Sequence, residues 1–104
     1  MKQSYLNLVG LAFRAGKCSL GEETILKDIR SKQLKLLIIA EDAAPNTIKK
    51  FTDKCTFYDI PFVIGDNRDT LSQAIGKEGR VAVGVKDSGF AKKIVSMVEQ
   101  TNRG

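Results

Sequence analysis

The sequence predicts an α/β fold with helices packed on both faces of one sheet. Three observations carry that expectation. Leu36-Leu37-Ile38-Ile39-Ala40 is an unbroken apolar run, which suits a strand buried on both faces. Phe62–Ile64 and Val81–Val85 are two further short apolar segments that read as strands. Between them lie stretches whose apolar residues recur at helical spacing. With 104 residues, 42% of them hydrophobic, the chain has material for one core, so a single domain over residues 1–104 is expected.

The elements follow in order. Ser4 to Ala15 reads as a helix, with Ser4 as cap, Tyr5, Leu8, Val9 and Ala12 on one face, and Gly16 as the terminating glycine. Lys17 to Leu20 fits a brief strand. Gly21 to Lys32 reads as a second helix: Glu22 and Glu23 fall in its first turn and Arg30 and Lys32 in its last, as the helix dipole favours. Its apolar stripe is Ile25, Leu26 and Ile29. After the Leu36–Ala40 strand, Glu41–Ala44 makes a turn, and Asn46 is expected to cap a helix reaching about Tyr58. Pro61 leads into Phe62–Ile64, and Gly65–Arg68 is a loop. Asp69 is expected to cap a short helix over Thr70–Ile75. Gly76-Lys77-Glu78-Gly79-Arg80 is a basic loop framed by glycines. In Val81–Val85, Gly84 marks a close backbone approach. Ser88 is the expected cap of the last helix, with Phe90, Ile94, Met97 and Val98 inward, and Thr101–Gly104 are expected to fray.

Charge narrows the function. Lys and Arg number 17 against 12 Asp and Glu, a net charge of +5. Residues 1–35 hold +4 of it, with Lys2, Arg14, Lys17, Lys27, Arg30, Lys32 and Lys35 against Glu22, Glu23 and Asp28. A basic small domain commonly meets nucleic acid, since neutralising phosphates releases counterions. Gly21, Lys27, Lys17 and Arg80 would make a positive rim if the fold gathers them, with the helix start at Gly21 offering free N–H groups to phosphate. Aromatic residues are only 7% and Trp is absent, which disfavours a base-stacking platform. If RNA is the partner, recognition is expected from backbone, shape and a few base contacts in a folded element.

Other classes fare worse. There is no His, and no Ser or Cys has an evident base partner, so an enzyme is not expected. Glu41-Asp42 is a carboxylate pair after a strand, but such a pair before a helix more often satisfies backbone N–H groups than performs catalysis. No GK[ST] follows the glycines of Gly76–Gly79, so they form no P-loop. Cys18 and Cys55 stand alone with no His to complete a site, which disfavours structural zinc and suits a reducing cytoplasm. The longest apolar run, Leu36–Ala40, is too short to cross a bilayer. No cofactor, metal or membrane is expected, and the location expected is cytoplasmic.

Several stretches together resemble one family. Gly21 through Lys27, then Ile38-Ile39-Ala40-Glu41-Asp42-Ala43, is similar to the L-seven-Ae and L-thirty-e ribosomal-protein family. There, a G-x-N-E-x-x-K helix start is followed after a strand by an I-A-x-D-A/V-x-P turn. Ile60-Pro61, then Leu71, Ala74, Ile75 and Gly76, then Arg80-Val81-Ala82-Val83, continue the likeness over nearly the whole chain. Leu11-Ala12-Phe13-Arg14-Ala15-Gly16-Lys17 looks most like the bacterial YlxQ-like branch.

The resemblance implies a three-layer α/β/α sandwich around a mixed sheet of about four strands. It also implies binding of structured RNA, either rRNA or a kink-turn-like element, by a ribosomal or ribosome-associated monomer. A kink-turn is a sharply bent internal loop flanked by sheared G·A pairs. Carried over by position, the implied RNA-binding residues are Gly21, Glu22, Glu23, Thr24 and Lys27 with Lys17 beside them, then Glu41, Asp42 and Ala43, then Arg80, Val81 and Ala82. One departure stands out: Glu23 and Thr24 occupy the family's Asn-Glu positions, and an ionised Glu23 accepts but cannot donate a hydrogen bond. That departure motivates an alternative, a protein-interaction module that kept the fold and lost kink-turn binding.

Overall fold

The computed structural model describes the backbone of residues 3–103 and the side chains of residues 5–99. Nine elements follow one another: α1 (Gln3–Arg14), β1 (Cys18–Ser19), α2 (Glu22–Arg30), β2 (Leu36–Ile39), α3 (Pro45–Tyr58), β3 (Phe62–Ile64), α4 (Arg68–Ile75), β4 (Ala82–Val85) and α5 (Ser88–Arg103). The strands form one mixed sheet in the order β1-β4-β2-β3. β2 and β3 are parallel, while β4 runs antiparallel to both β1 and β2.

The unbroken apolar run behaves as a doubly buried strand should. Leu36, Ile38 and Ala40 point into one core with Tyr5, Leu6, Val9 and Ala12 of α1, Leu71 and Ile75 of α4, and Ala91, Ile94 and Val98 of α5. Leu37 and Ile39 point the other way, against Ile25 and Ile29 of α2 and Phe51 and Cys55 of α3. Three helices therefore cover one face and two the other, giving the α/β/α sandwich. β3 differs from a core strand: as the sheet's edge it leaves Phe62 37% and Ile64 43% exposed.

Two glycines set inter-element distances. A Cβ on Gly84 would lie 2.4 Å from Leu34 Cδ1, so β4 can slide under the fully buried Leu34 only without a side chain there. On Gly10, a Cβ would meet the Ala74 carbonyl oxygen at 2.7 Å, so α1 and α4 touch backbone to side-chain-free backbone.

Helix starts depart from expectation by a residue or two. α1 already includes Ser4, having begun at Gln3. Pro45, whose ring presets the helical φ, takes the first position of α3 and displaces Asn46 into the helix. In α4 the cap is Asn67, whose side-chain oxygen accepts from Thr70 N at 2.9 Å; Asp69 sits inside the first turn. Asp87 accepts from Phe90 N at 2.8 Å ahead of α5, leaving Ser88 as its first residue. α5 continues through Arg103, past the expected fraying at Thr101, and Gly104 lies outside the described residues. Among the described residues, no helix is long and apolar enough to cross a membrane.

Candidate functional site

Strand direction decides what meets what. Because β4 is antiparallel to β1 and β2, its N-terminal end lies beside their C-terminal ends, with the end of β3 next to β2. The segments leaving those ends are Gly21 into α2, Glu41–Ala43 into α3, Gly65–Asn67 into α4, and Gly79–Val81 arriving at β4. Hydrogen bonds tie them across the sheet end. Ala40 N donates to Val81 O at 2.8 Å, Gly65 N to Ile39 O at 2.9 Å, and Glu41 N to Asp66 O at 3.1 Å. Four segments far apart in sequence thus share one end of the sheet, called here the near end.

At its centre lies a depression of about 200 Å³ lined by Gly21, Glu22, Ile25, Thr47, Phe51, Gly79, Arg80, Val81 and Ala82. Two helices open onto it. α2 starts after Gly21, which adopts φ 89°, and has no side-chain cap. α3 starts after Ala44, again without a side-chain cap. The first N–H groups of an uncapped helix have no intrahelical acceptor, so they offer donors and a partial positive charge to whatever lies in front. Ile25 N already bonds Gly21 O at 2.9 Å, so Glu22, Glu23 and Thr24 carry the open amides of α2.

Loop geometry is held by side chains from neighbouring elements. Asp42 Oδ1 accepts from Arg68 N at 2.8 Å, Arg68 Nη2 donates to Asp42 O at 2.7 Å, and Arg68 Nε lies 3.5 Å from Asp42 Oδ2. The Asp42 carboxylate therefore satisfies a backbone N–H, the structural role weighed above catalysis. Beneath it, the Tyr5 hydroxyl donates to Asp66 Oδ2 at 2.6 Å and accepts from Asp66 N at 3.1 Å. Burial, with the neighbouring Asp66 carboxylate, raises the Tyr5 phenol well above its ordinary range, so it stays a donor. The Ser72 hydroxyl accepts from Arg80 N at 2.9 Å and donates to Arg80 O at 3.2 Å, pinning the loop before β4 to α4. Arg80 Nε is buried without a hydrogen-bond partner.

The matching family model is that of the Ribosomal protein L7Ae/L30e/S12e/Gadd45 family, over residues 3–95. The chain belongs to this family. Curated relatives of the L7Ae/L30e family include the RNA-binding protein YlxQ of Bacillus subtilis, 47% identical over 88% of this chain and 92% of that one. The YlxQ of Enterococcus faecium is 42% identical over 94% of each. A large ribosomal subunit protein eL8 of Thermoplasma volcanium is 32% identical over 99% of this chain and 89% of that one. Among solved structures, one described as a protein with unknown function from Bacillus halodurans C superposes with a TM-score of 0.89 at 43% identity, covering 92% of this chain and 97% of that one. The resemblance to the YlxQ-like branch of the L7Ae/L30e family is thereby established, and with it a chain whose named relatives are RNA-binding or ribosomal proteins rather than enzymes.

Against this geometry the expected residues divide. Gly21, Glu22, Arg80, Val81 and Ala82 line the one depression, and the Glu41–Ala43 turn adjoins it through the Ala40–Val81 bond, with Ala43 itself 6% exposed in the core. Glu23 and Thr24 stand exposed on the first turn of α2. Lys27, also exposed, is six residues beyond Gly21, about 9 Å further along the axis. Lys17 does not join them. Its carbonyl accepts from Lys86 N at 2.7 Å, which puts it at the opposite end of the sheet, because β1 carries the chain away from Lys17 toward Gly21.

Nor is the near end the positive rim that clustering alone suggests. Glu22 pairs with Lys50 at 2.5 Å and Asp42 with Arg68 at 3.5 Å, while Glu23, Glu41 and Asp66 add further carboxylates beside Lys27 and Arg80. Arg68, Lys50, Thr47 and Tyr5 are the contributors that sequence reasoning missed. Asp42 and Arg68 are 26 positions apart and Tyr5 and Asp66 are 61 apart, so no local pattern announces either pair.

Proposed function

We propose that this chain binds a folded RNA at the near end of its sheet, engaging a bent, kink-turn-like backbone. The observation that carries the reading is the convergence of Gly21–Lys27, Glu41–Ala43 and Arg80–Ala82 around two uncapped helix starts. Names of the YlxQ and eL8 relatives point the same way. Backbone N–H groups at a helix start suit phosphate, and Gly21 leaves room for close approach. Lys27 neutralises a phosphate at the rim. Arg80 gains an acceptor for its buried, unpartnered Nε, a group that costs about 1–3 kcal/mol while unsatisfied. Val81 and Ala82 offer a small apolar floor for an unstacked base. A cytoplasmic, monomeric, ribosome-associated protein of one domain over residues 1–104 completes this reading. The decisive experiment titrates the protein against a kink-turn RNA and a matched RNA in which Watson–Crick pairs replace the sheared G·A pairs. Preference for the bent RNA, lost in Arg80→Gln, is the expected result; equal affinity for both sinks the kink-turn reading.

A second reading has its own observation. Glu23 and Thr24 stand where the family's Asn-Glu pair is expected, and the near-end charges are balanced, both of which suit a protein partner better than phosphate. Absence of any RNA affinity at low salt, with a protein recovered on the intact near end, decides for it.

A further inference from the structure

The opposite end of the sheet carries the charge that the near end lacks. Lys17 precedes β1, Lys86 follows β4 and Lys35 precedes β2, and these strands are consecutive neighbours in the sheet. Two backbone bonds lock the row: Lys86 N to Lys17 O at 2.7 Å and Lys35 N to Val85 O at 2.8 Å. Neighbouring strands lie about 4.8 Å apart, so the three lysines span about 10 Å at their backbones. Lys32 adjoins the row at Lys35, its carbonyl accepting from Lys35 Nζ at 3.4 Å. Lys92 also adjoins Lys35, sharing with it a depression of about 310 Å³. All five side chains are exposed.

Their surroundings leave these charges available. The three ion pairs among the described side chains are Lys49–Asp53, Glu22–Lys50 and Asp42–Arg68, and none involves the row. Nearby carboxylates are Asp28, which the Ser19 hydroxyl engages, Asp87, which caps α5, Glu99, beside Lys92, and the exposed Asp59, two residues before Pro61 of the same depression. Five ammonium groups thus face four carboxylates, whereas at the near end Lys27, Lys50, Arg68 and Arg80 face five.

We propose that this far end is a second RNA-binding surface, indifferent to sequence, that holds the phosphate backbone of a duplex while the near end reads a bend. The proposal rests on the reading that the chain binds RNA. A row of flexible, unpaired ammonium groups on a rigid sheet end suits a regularly spaced polyanion, where each contact releases counterions. Among the described residues the far end has no depression between two helix starts, its own being lined by Lys35, Pro61 and the side of α5, so it selects charge density rather than shape. With both ends occupied, the protein bridges two RNA segments across the length of its sheet.

The test uses a fully paired RNA duplex without internal loops, titrated over a range of salt concentrations. The triple variant Lys17→Gln, Lys35→Gln, Lys86→Gln is expected to bind the duplex at least tenfold more weakly, with the log–log salt slope shallower by about two to three units. The corresponding triple arginine variant retains binding, and both keep the native melting temperature because these lysines carry no ion pair. Arg80→Gln leaves duplex binding intact. A native-like slope in the folded glutamine variant overturns the proposal, as does failure of the unaltered protein to bind the duplex. So does binding of polyglutamate or phosphatidylserine vesicles in place of duplex. If kink-turn preference is absent but the duplex result stands, only the near-end reading falls.

Discussion

A few side chains hold the near end in shape without touching a ligand. Arg68 fixes the Asp42 turn by three contacts, yet the pair is nearly half exposed, so its worth to folding is below about 1 kcal/mol. Arg68→Ala is therefore expected to leave the melting temperature almost unchanged while speeding amide exchange in the Asp42 turn and lowering affinity for bent RNA. A large loss of stability with unaltered exchange contradicts that division. Lys27→Ala should reduce the salt slope for the same RNA by about one unit, since one phosphate contact is removed; an unaltered slope takes Lys27 out of the site. The thiols allow a pH prediction. Burial raises both Cys18 and Cys55 from an ordinary value near 9 to about 11, with Lys86 pulling Cys18 partly back. A folded-state value above the unfolded one favours the native state fully below about pH 9 and loses that advantage as pH rises through about 11. Between pH 8 and pH 10.5, melting of the native protein should accordingly fall further than that of a Cys18→Ala, Cys55→Ala variant.

At the scale of elements, close approaches and caps fix where each helix and strand sits. Gly84→Ala drives a methyl into Leu34, which is buried, at an expected cost of about 1–3 kcal/mol in denaturant titration. Asn67→Ala removes the side-chain acceptor at the start of α4 and is expected to cost about 1 kcal/mol. Because α4 also holds the Arg80 loop through Ser72, that loss should appear as increased exchange at Arg80 N, and not only in α4. Most of these elements were legible in the sequence. Apolar runs and helical spacing located β2, β3, β4 and every helix, since a doubly buried strand is apolar throughout and a surface helix apolar on one side; the two-residue β1 carries no such pattern and was legible only as a short gap between helices. Caps were less legible: several Asx and Ser residues compete near each helix start, and the winner is set by loop geometry.

Across the whole molecule, mixed strand direction divides the surface into two unlike ends. Had β4 been parallel to β2, Arg80 and Lys86 would exchange ends, separating Arg80 from Gly21 and the Asp42 turn. The near end is charge-balanced and shaped by helix starts; the far end is lysine-rich. Binding of a bent RNA by the near end should for that reason show a shallow salt dependence, about one or two phosphates' worth, and duplex binding a steep one. Equal slopes for the two RNAs contradict a functional difference between the ends.

The sequence by itself determined the fold class, the order of elements and the family, since these rest on local periodicity and on residue identities at fixed spacing. It also determined the excess of positive charge. Only the tertiary structure decided where that charge lies: Lys17 and Gly21 are four positions apart, yet a short strand sends them to opposite ends of the sheet. Strand direction and pairing arise from contacts between segments dozens of residues apart, and the partners of Tyr5 and Asp42 lie 61 and 26 positions away, so no reading along the chain could assign them.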